Sequence, residues 1–174
     1  MADYRYSYVK TPLGKIYVIS EDDQIISADF EPIDISAGYL KRYTDITQPK
    51  FDENQAIRNA REWFEAYFAG ETIKKPKIKL YGTDFNIRVW NALAEIPFGQ
   101  AVSYGYIAAK TGNPKSAIAV GQACKRNPIL IIIPCHRVIG SDGKLKGFAG
   151  KPERKEYLLQ FEKEINMRKA DINY

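Results

Sequence analysis

The first thirty residues break into three short runs of alternating character. Tyr4 to Lys10 alternates aromatic and polar positions. Lys15-Ile16-Tyr17-Val18-Ile19-Ser20 follows, and Glu21-Asp22-Asp23 separates it from a third run, Gln24 to Phe30. Period-two alternation with polar breaks predicts a β-meander. From 33 to 53 the pattern is weak and predicts irregular or briefly helical chain. The period then changes: Ile57, Ala60, Phe64, Tyr67 and Phe68 fall at helical spacing within 54–69, and Gly70 is a stop signal. Lys74-Lys75-Pro76-Lys77 reads as a basic connector, dividing the chain into segments 1–78 and 79–174.

The second segment is patterned mainly as helix. Asp84 is a candidate N-cap for a helix carrying Phe85, Val89, Leu93 and Ile96, which should end before Pro97-Phe98-Gly99. Ser103 can cap a short helix through Ile107 and Ala108. Gly112 interrupts, and Asn113-Pro114 offers a new N-cap with proline at the first helical position. The helix that follows, to about Lys125, is rich in small residues: Ser116, Ala117, Ala119, Gly121 and Ala123. Two short helices around a glycine-containing turn carry a helix-turn-helix pattern, although such pairs also serve plain packing. Ile129-Leu130-Ile131-Ile132-Ile133 predicts an apolar strand ending at Pro134. Ser141-Asp142-Gly143-Lys144 reads as a turn and Gly147-Phe148-Ala149-Gly150 as a flexible loop. A last helix from Pro152 should bury Leu158, Phe161 and Ile165. The fold class is α+β, a sheet segment followed by a mainly helical one.

A hydrophobic content of 45% suffices for a packed core, and the longest apolar runs fall far short of a membrane span, so no membrane partner is expected. Met1-Ala2-Asp3-Tyr4-Arg5 has no signal-peptide pattern, and a cytoplasmic location is expected. The net charge of +5 is less informative than its placement. Lys110, Lys115, Lys125, Arg126, Arg137, Lys144, Lys146, Lys151, Arg154 and Lys155 crowd one stretch, while Asp142 is the sole acidic residue between 100 and 150. That asymmetry favours a nucleic-acid or phosphate partner over ordinary solvated lysines.

The candidate chemistry lies at Pro134-Cys135-His136-Arg137-Val138-Ile139, which holds one of two cysteines and the only histidine. A free thiol is only a few per cent ionised at neutral pH, so a nucleophilic cysteine needs a base or positive charge nearby. Neighbours on a strand point to opposite faces, so His136 reaches Cys135 only if the chain turns at Pro134 or through a bridging water. The competing reading is a buried apolar filler, but a filler fits better inside the isoleucine run than at its polar end. Cys124, with no histidine beside it, reads as structural. A Cys124–Cys135 disulfide stays open, though cytosolic thiols are normally reduced. Two cysteines, one histidine and no Cys-x-x-Cys fall short of a zinc site, so no metal is expected. Glu162, on the last helix, is the carboxylate nominated to orient His136, although its position also suits an exposed helix residue.

Ile96-Pro97-Phe98-Gly99, Val102-Ser103-Tyr104, Gly112-Asn113-Pro114-Lys115, Ala119-Val120-Gly121, Arg126-Asn127-Pro128, the Pro134–Ile139 run and Gly147-Phe148-Ala149-Gly150 stand in an order and spacing that resembles the O6-alkylguanine-DNA alkyltransferases. The resemblance covers about residues 80 to 165. It implies a ribonuclease-H-like β-sheet domain (1–78) ahead of a DNA-binding and alkyl-transfer domain (79–174). It implies DNA repair in a single turnover, with the alkyl group of O6-alkylguanine, and also of O4-alkylthymine, moved irreversibly to the cysteine. The partner implied is double-stranded DNA bearing an alkylated guanine, met by a monomer without cofactor, and in a prokaryote at the nucleoid. The target base would be flipped out from the minor-groove side, at a cost of roughly a few kcal/mol.

Carried over by position, the resemblance makes Cys135 the acceptor, His136 its water-mediated base and Glu162 the partner of that base. Asn127 would hold the turn before the cysteine. Tyr104 would contact phosphate and help protonate the departing guanine. The helix bearing Lys115, Ser116, Ile118, Ala119, Gly121 and Lys125 would enter the minor groove, with Arg126 and Arg137 as further DNA contacts. Val138, Phe148, Ala149 and Gly150 would wall the substrate pocket. Ile118 stands where the family carries an arginine finger; it can wedge apolar bulk between bases but cannot hydrogen-bond the orphaned cytosine. Phe148 and Ala149 replace a common tyrosine and serine. Other readings predict different behaviour: a damage sensor lacking the acceptor cysteine, a helix-turn-helix regulator indifferent to Cys135, or a cysteine hydrolase with repeated turnover.

Overall fold

The structure, a computed structural model, describes residues 1–145, 148 and 150–173. The chain divides into two units, Met1–Gly82 and Thr83–Tyr174.

In the first unit the alternating runs pair as expected. Strands β1 (Tyr4–Thr11) and β2 (Gly14–Glu21) form an antiparallel hairpin, and β3 (Gln24–Asp29) continues the meander. Helix α1 (Ile33–Leu40) is the brief helix of the weakly patterned stretch, and β4 (Lys50–Phe51) joins the far edge parallel to β1. The sheet order is β3-β2-β1-β4. Side chains alternate across the sheet, so Ile19 and Ile26 pack with Ala37, Leu40 and Ile46, while α2 (Gln55–Phe68) packs against β1, β2 and β3. The ends of α2 follow from local chemistry. Asn54 accepts a hydrogen bond from the Ile57 N–H. At the other end Gly70 (φ 74°) and Glu71 donate to the Tyr67 and Ala66 carbonyls, a Schellman closure. The basic connector does not hang free: Lys77 O and Lys79 N bond to Ile25, and Lys77 pairs with Asp23 at 2.7 Å.

The second unit carries α3 (Asp84–Ala94), β5 (Val102–Ser103), α4 (Tyr104–Lys110), α5 (Ala117–Lys125), a 3-10 turn (Cys135–Arg137), β6 (Val138–Ile139) and α6 (Pro152–Ile172). Helix α3 is capped by Thr83, whose hydroxyl accepts from Asn86 N–H, and Asp84 sits in the first turn instead. Ser103 caps α4 as expected, accepting from Tyr106 N–H at 3.0 Å. The expected start of the next helix at Asn113-Pro114 is corrected, since α5 begins at Ala117. Asn113 closes a local turn, its side chain accepting from Lys115 N–H and its carbonyl from Ser116, a competitor to helix at that position. The helices are locked together where Trp90, fully buried, donates Nε1–H to the Ala123 carbonyl at 2.9 Å.

The largest departure is the isoleucine run. It is buried but forms no strand. Its backbone folds on itself, with Ile132 N–H donating to Leu130 O and Ile133 N–H to Ile129 O, and Ile131 sits at φ 70°. A β-branched residue in the left-handed region is strained, so packing and hydrogen bonds must hold it there. The parallel β5–β6 pair, Val102↔Val138 and Ser103↔Ile139, follows the turn instead. In α6, Leu158 is buried as expected and Phe161 and Ile165 only partly, whereas Lys155 and Glu162 are buried unexpectedly.

Candidate active site

The turn preceding the cysteine is built by one side chain. Asn127 accepts from Ile129 N–H at 3.0 Å and donates Nδ2–H to the Ile133 carbonyl at 2.8 Å. The same amide group donates to Cys135 Sγ at 3.1 Å. A donor on the sulfur favours its anionic form. No disulfide joins Cys124 and Cys135, and both side chains are buried. In Cys124, on α5, burial and then the neighbouring Cys135 push the thiol pKa far up, which keeps it protonated, as suits a structural residue.

Because Cys135–Arg137 is a turn of 3-10 helix, His136 is swung into the interior and meets α6. Its Nε2 lies 2.7 Å from Glu162 Oε1, and both side chains are buried. Burial lowers the histidine pKa, against the opposing pull of Glu162. The ring is therefore neutral at physiological pH. A carboxylate only accepts, so the proton lies on Nε2 and leaves Nδ1 with its lone pair. Nδ1 is buried and has no hydrogen-bond partner among the described residues. A base is thus held ready on the atom facing away from Glu162.

Glu162 is saturated with donors. Arg137 gives it Nε–H at 2.9 Å and Nη2–H at 2.8 Å, and Gly99 gives its backbone N–H at 3.0 Å. Burial alone would raise this carboxyl, but His136 and then Arg137 outweigh it and hold it well below the usual carboxylate range. The place expected for Arg137 among DNA contacts is corrected here. Its guanidinium is buried, claimed by Glu162 and by the Ile96 carbonyl at 2.6 Å.

Lys155 and Gly99 were not anticipated as site residues. The Lys155 ammonium donates to the Val138 carbonyl and to Tyr104 Oη at 3.4 Å, and burial lowers its pKa while Cys135 and Cys124 oppose that. Its position three residues into α6, seven before Glu162 on the same helical face, is a signal periodicity could have supplied. Gly99 was legible as part of a helix stop and of the Ile96–Gly99 motif, but with no role at the site. Tyr104 is partly buried at the start of α4, its hydroxyl pKa pushed far up by burial and then by the two thiols.

Of the surface residues expected on DNA, Lys115, Ile118, Ala119, Lys125 and Arg126 are exposed, and Ser116 and Gly121 partly so. A cleft of about 550 Å³ runs between α4, α5 and the 140–142 turn, lined by Tyr104, Ile118, Gly121, Lys125 and Asp142 among others. Of the expected pocket wall, Val138 is buried and Phe148 partly buried. Gly150 lies so close to the Phe148 ring that a Cβ would come within 2.6 Å of it. Ala149 lies outside the described residues. Among the described residues no group of three His, Cys, Asp or Glu side chains is placed to hold a metal, and no helix is long and apolar enough to cross a membrane.

A buried thiol, a neutral histidine with a free lone pair and an anchored carboxylate, set behind a helix-turn-helix, define a class: a protein-borne cysteine nucleophile on a scaffold of DNA-binding type. Comparison with known proteins narrows this. Residues 84–164 match the 6-O-methylguanine DNA methyltransferase DNA-binding domain, and residues 4–75 match the ribonuclease-like domain of the same methyltransferases. The chain is 42% identical over 159 residues to the methylated-DNA–protein-cysteine methyltransferase of Methanosarcina acetivorans, covering 90% of this chain and 97% of that one. It is 39% identical to the Haemophilus influenzae protein of the same name, covering 91% and 86%. A crystal structure of Mycobacterium tuberculosis OGT in complex with DNA superposes with a TM-score of 0.78 at 39% identity, covering 94% of each chain. The chain belongs to the methylated-DNA–protein-cysteine methyltransferase family.

Proposed function

We infer that this protein repairs DNA by taking the alkyl group of O6-alkylguanine onto Cys135. The observation that carries the reading is the neutral His136, its Nε2–H held by Glu162 and its Nδ1 unpartnered, beside a thiol that already accepts an N–H. His136 Nδ1 takes the thiol proton through a bridging water. The thiolate then attacks the alkyl carbon in line: a C–S bond forms, the C–O6 bond breaks, and the electron pair leaves on guanine. Tyr104 supplies the proton that restores neutral guanine as the Lys155 ammonium, already donating to its hydroxyl, passes it a proton in turn, which offsets the reluctance of the buried phenol to ionise. The thioether is stable and the active site has no way to remove it, so each molecule acts once and no cofactor takes part.

Duplex DNA is the partner, engaged through α5 from the minor-groove side by a monomer, with the damaged base turned out of the stack. O4-alkylthymine presents the same alkyl-oxygen bond and is a second substrate. A place in the cytoplasm, with the chromosome, follows from that partner. Intact-protein mass spectrometry after incubation with a duplex containing one O6-methylguanine tests the reading. The expected result is one added methyl group per protein, mapped to Cys135. Binding without a mass change would overturn it in favour of a damage sensor or a regulator.

A further inference from the structure

Helix α5 shows one exposed stripe. Ile118, Gln122 and Lys125 are spaced by four and three residues, the interval that stacks side chains on one helix face. Ile118 is 85% exposed, an apolar side chain held out at the start of the helix. One turn along, Gln122 is exposed, and its carboxamide has no hydrogen-bond partner among the described residues. Both side chains line the cleft that also holds Tyr104, Lys125 and Asp142.

The two side chains offer complementary chemistry. An exposed isoleucine can enter a base step as a wedge but makes no hydrogen bond. A carboxamide offers two donors and an acceptor. Every base pair presents acceptors in the minor groove, and G·C adds a single N2–H donor. Four helical residues rise about 6 Å, so a side chain at Gln122 reaches bases within roughly two steps of a wedge at Ile118. Lys125, carrying only a point charge, suits phosphate instead.

We propose that Gln122 is a specificity-determining residue: its carboxamide hydrogen-bonds the minor-groove edges of the bases that stay stacked beside the Ile118 wedge. This rests on the reading of the site as an alkyl-transfer site acting on duplex DNA. Gln122 thereby gives the protein a preference among flanking sequences that an apolar wedge alone cannot provide.

The test is equilibrium affinity for O6-methylguanine duplexes whose flanking pairs are G·C or inosine·C, which differ by the N2 amino group. Measuring in a Cys135→Ser background keeps the substrate intact. With Gln122 the two duplexes should differ several-fold in affinity. Gln122→Ala should weaken the G·C-flanked duplex about tenfold, the worth of roughly one hydrogen bond, and abolish the difference between the two. Equal affinities before the substitution, or discrimination that survives it, would overturn the proposal. Methyl transfer by the unsubstituted protein is scored separately by mass, so a failure of the alkyl-transfer reading shows there and a failure of the Gln122 assignment shows in the affinities. Gln122 is exposed and alanine is a better helix former, so the variant will fold.

Discussion

At the scale of single residues the site depends on who donates to whom. His136 keeps its lone pair on Nδ1 because Glu162 takes the Nε2 proton, and Glu162 stays ionised because His136, Arg137 and the Gly99 N–H all favour its charge. Cys135→Ser should abolish methyl transfer while duplex binding persists, read by mass and by affinity on the same samples; transfer surviving in the serine variant would sink the assignment. Glu162→Gln should leave the buried Arg137 uncompensated, lowering stability by about 3–5 kcal/mol and slowing transfer, both measurable by denaturant unfolding and single-turnover kinetics. The pH dependence has a definite sign. His136 binds protons less readily folded than unfolded, so stability should fall as pH drops below the unfolded value of about 6.5. Glu162, whose folded pKa is depressed, contributes stability present above the unfolded carboxylate value and lost as pH falls toward the folded one. Both trends run the same way, so unfolding free energy should decline from pH 7 to pH 4.

At the scale of elements, local signals act where their partners are near in sequence. The β-meander, the stop at Gly70 and the Ser103 cap were all readable, because each needs only signals close in sequence, and the Asn54 cap of α2 is of the same local kind. Gly70→Ala should destabilise the protein by about 1 kcal/mol or somewhat more, since its φ of 74° disfavours a side chain. The measurement is a chemical denaturation midpoint, and an unchanged midpoint would mean the helix end relaxes. The isoleucine run was misread for a physical reason. Five consecutive apolar residues indicate burial, but burial does not distinguish a strand from a turn whose hydrogen bonds close on Asn127 and on itself. The N-terminus of α5 failed likewise, because Asn113 can cap a helix or close a turn with the same oxygen.

At the scale of the whole molecule, positive charge concentrates in the second unit, though not every basic residue contributes to the surface. Arg137 and Lys155 are buried in the site, leaving Lys115, Lys125 and Arg126 exposed around α5. If these three reach phosphates, raising salt from 50 to 200 mM should weaken duplex affinity roughly fortyfold. A salt-independent affinity would remove phosphate contact from the picture.

The chain alone singled out Cys135 and His136 as the candidate nucleophile and base, because it holds one histidine and sets it beside one of two cysteines, and it determined the elements whose periodicity is local. Tertiary structure decided which charges are inside. Glu162, nominated but equally suited to solvent, Arg137, expected outside, and Lys155 and Gly99, not singled out for the site, come together because α6 crosses behind the cysteine turn. Nothing local in sequence records that crossing, since the groups that hydrogen-bond across it lie 17 to 63 residues apart.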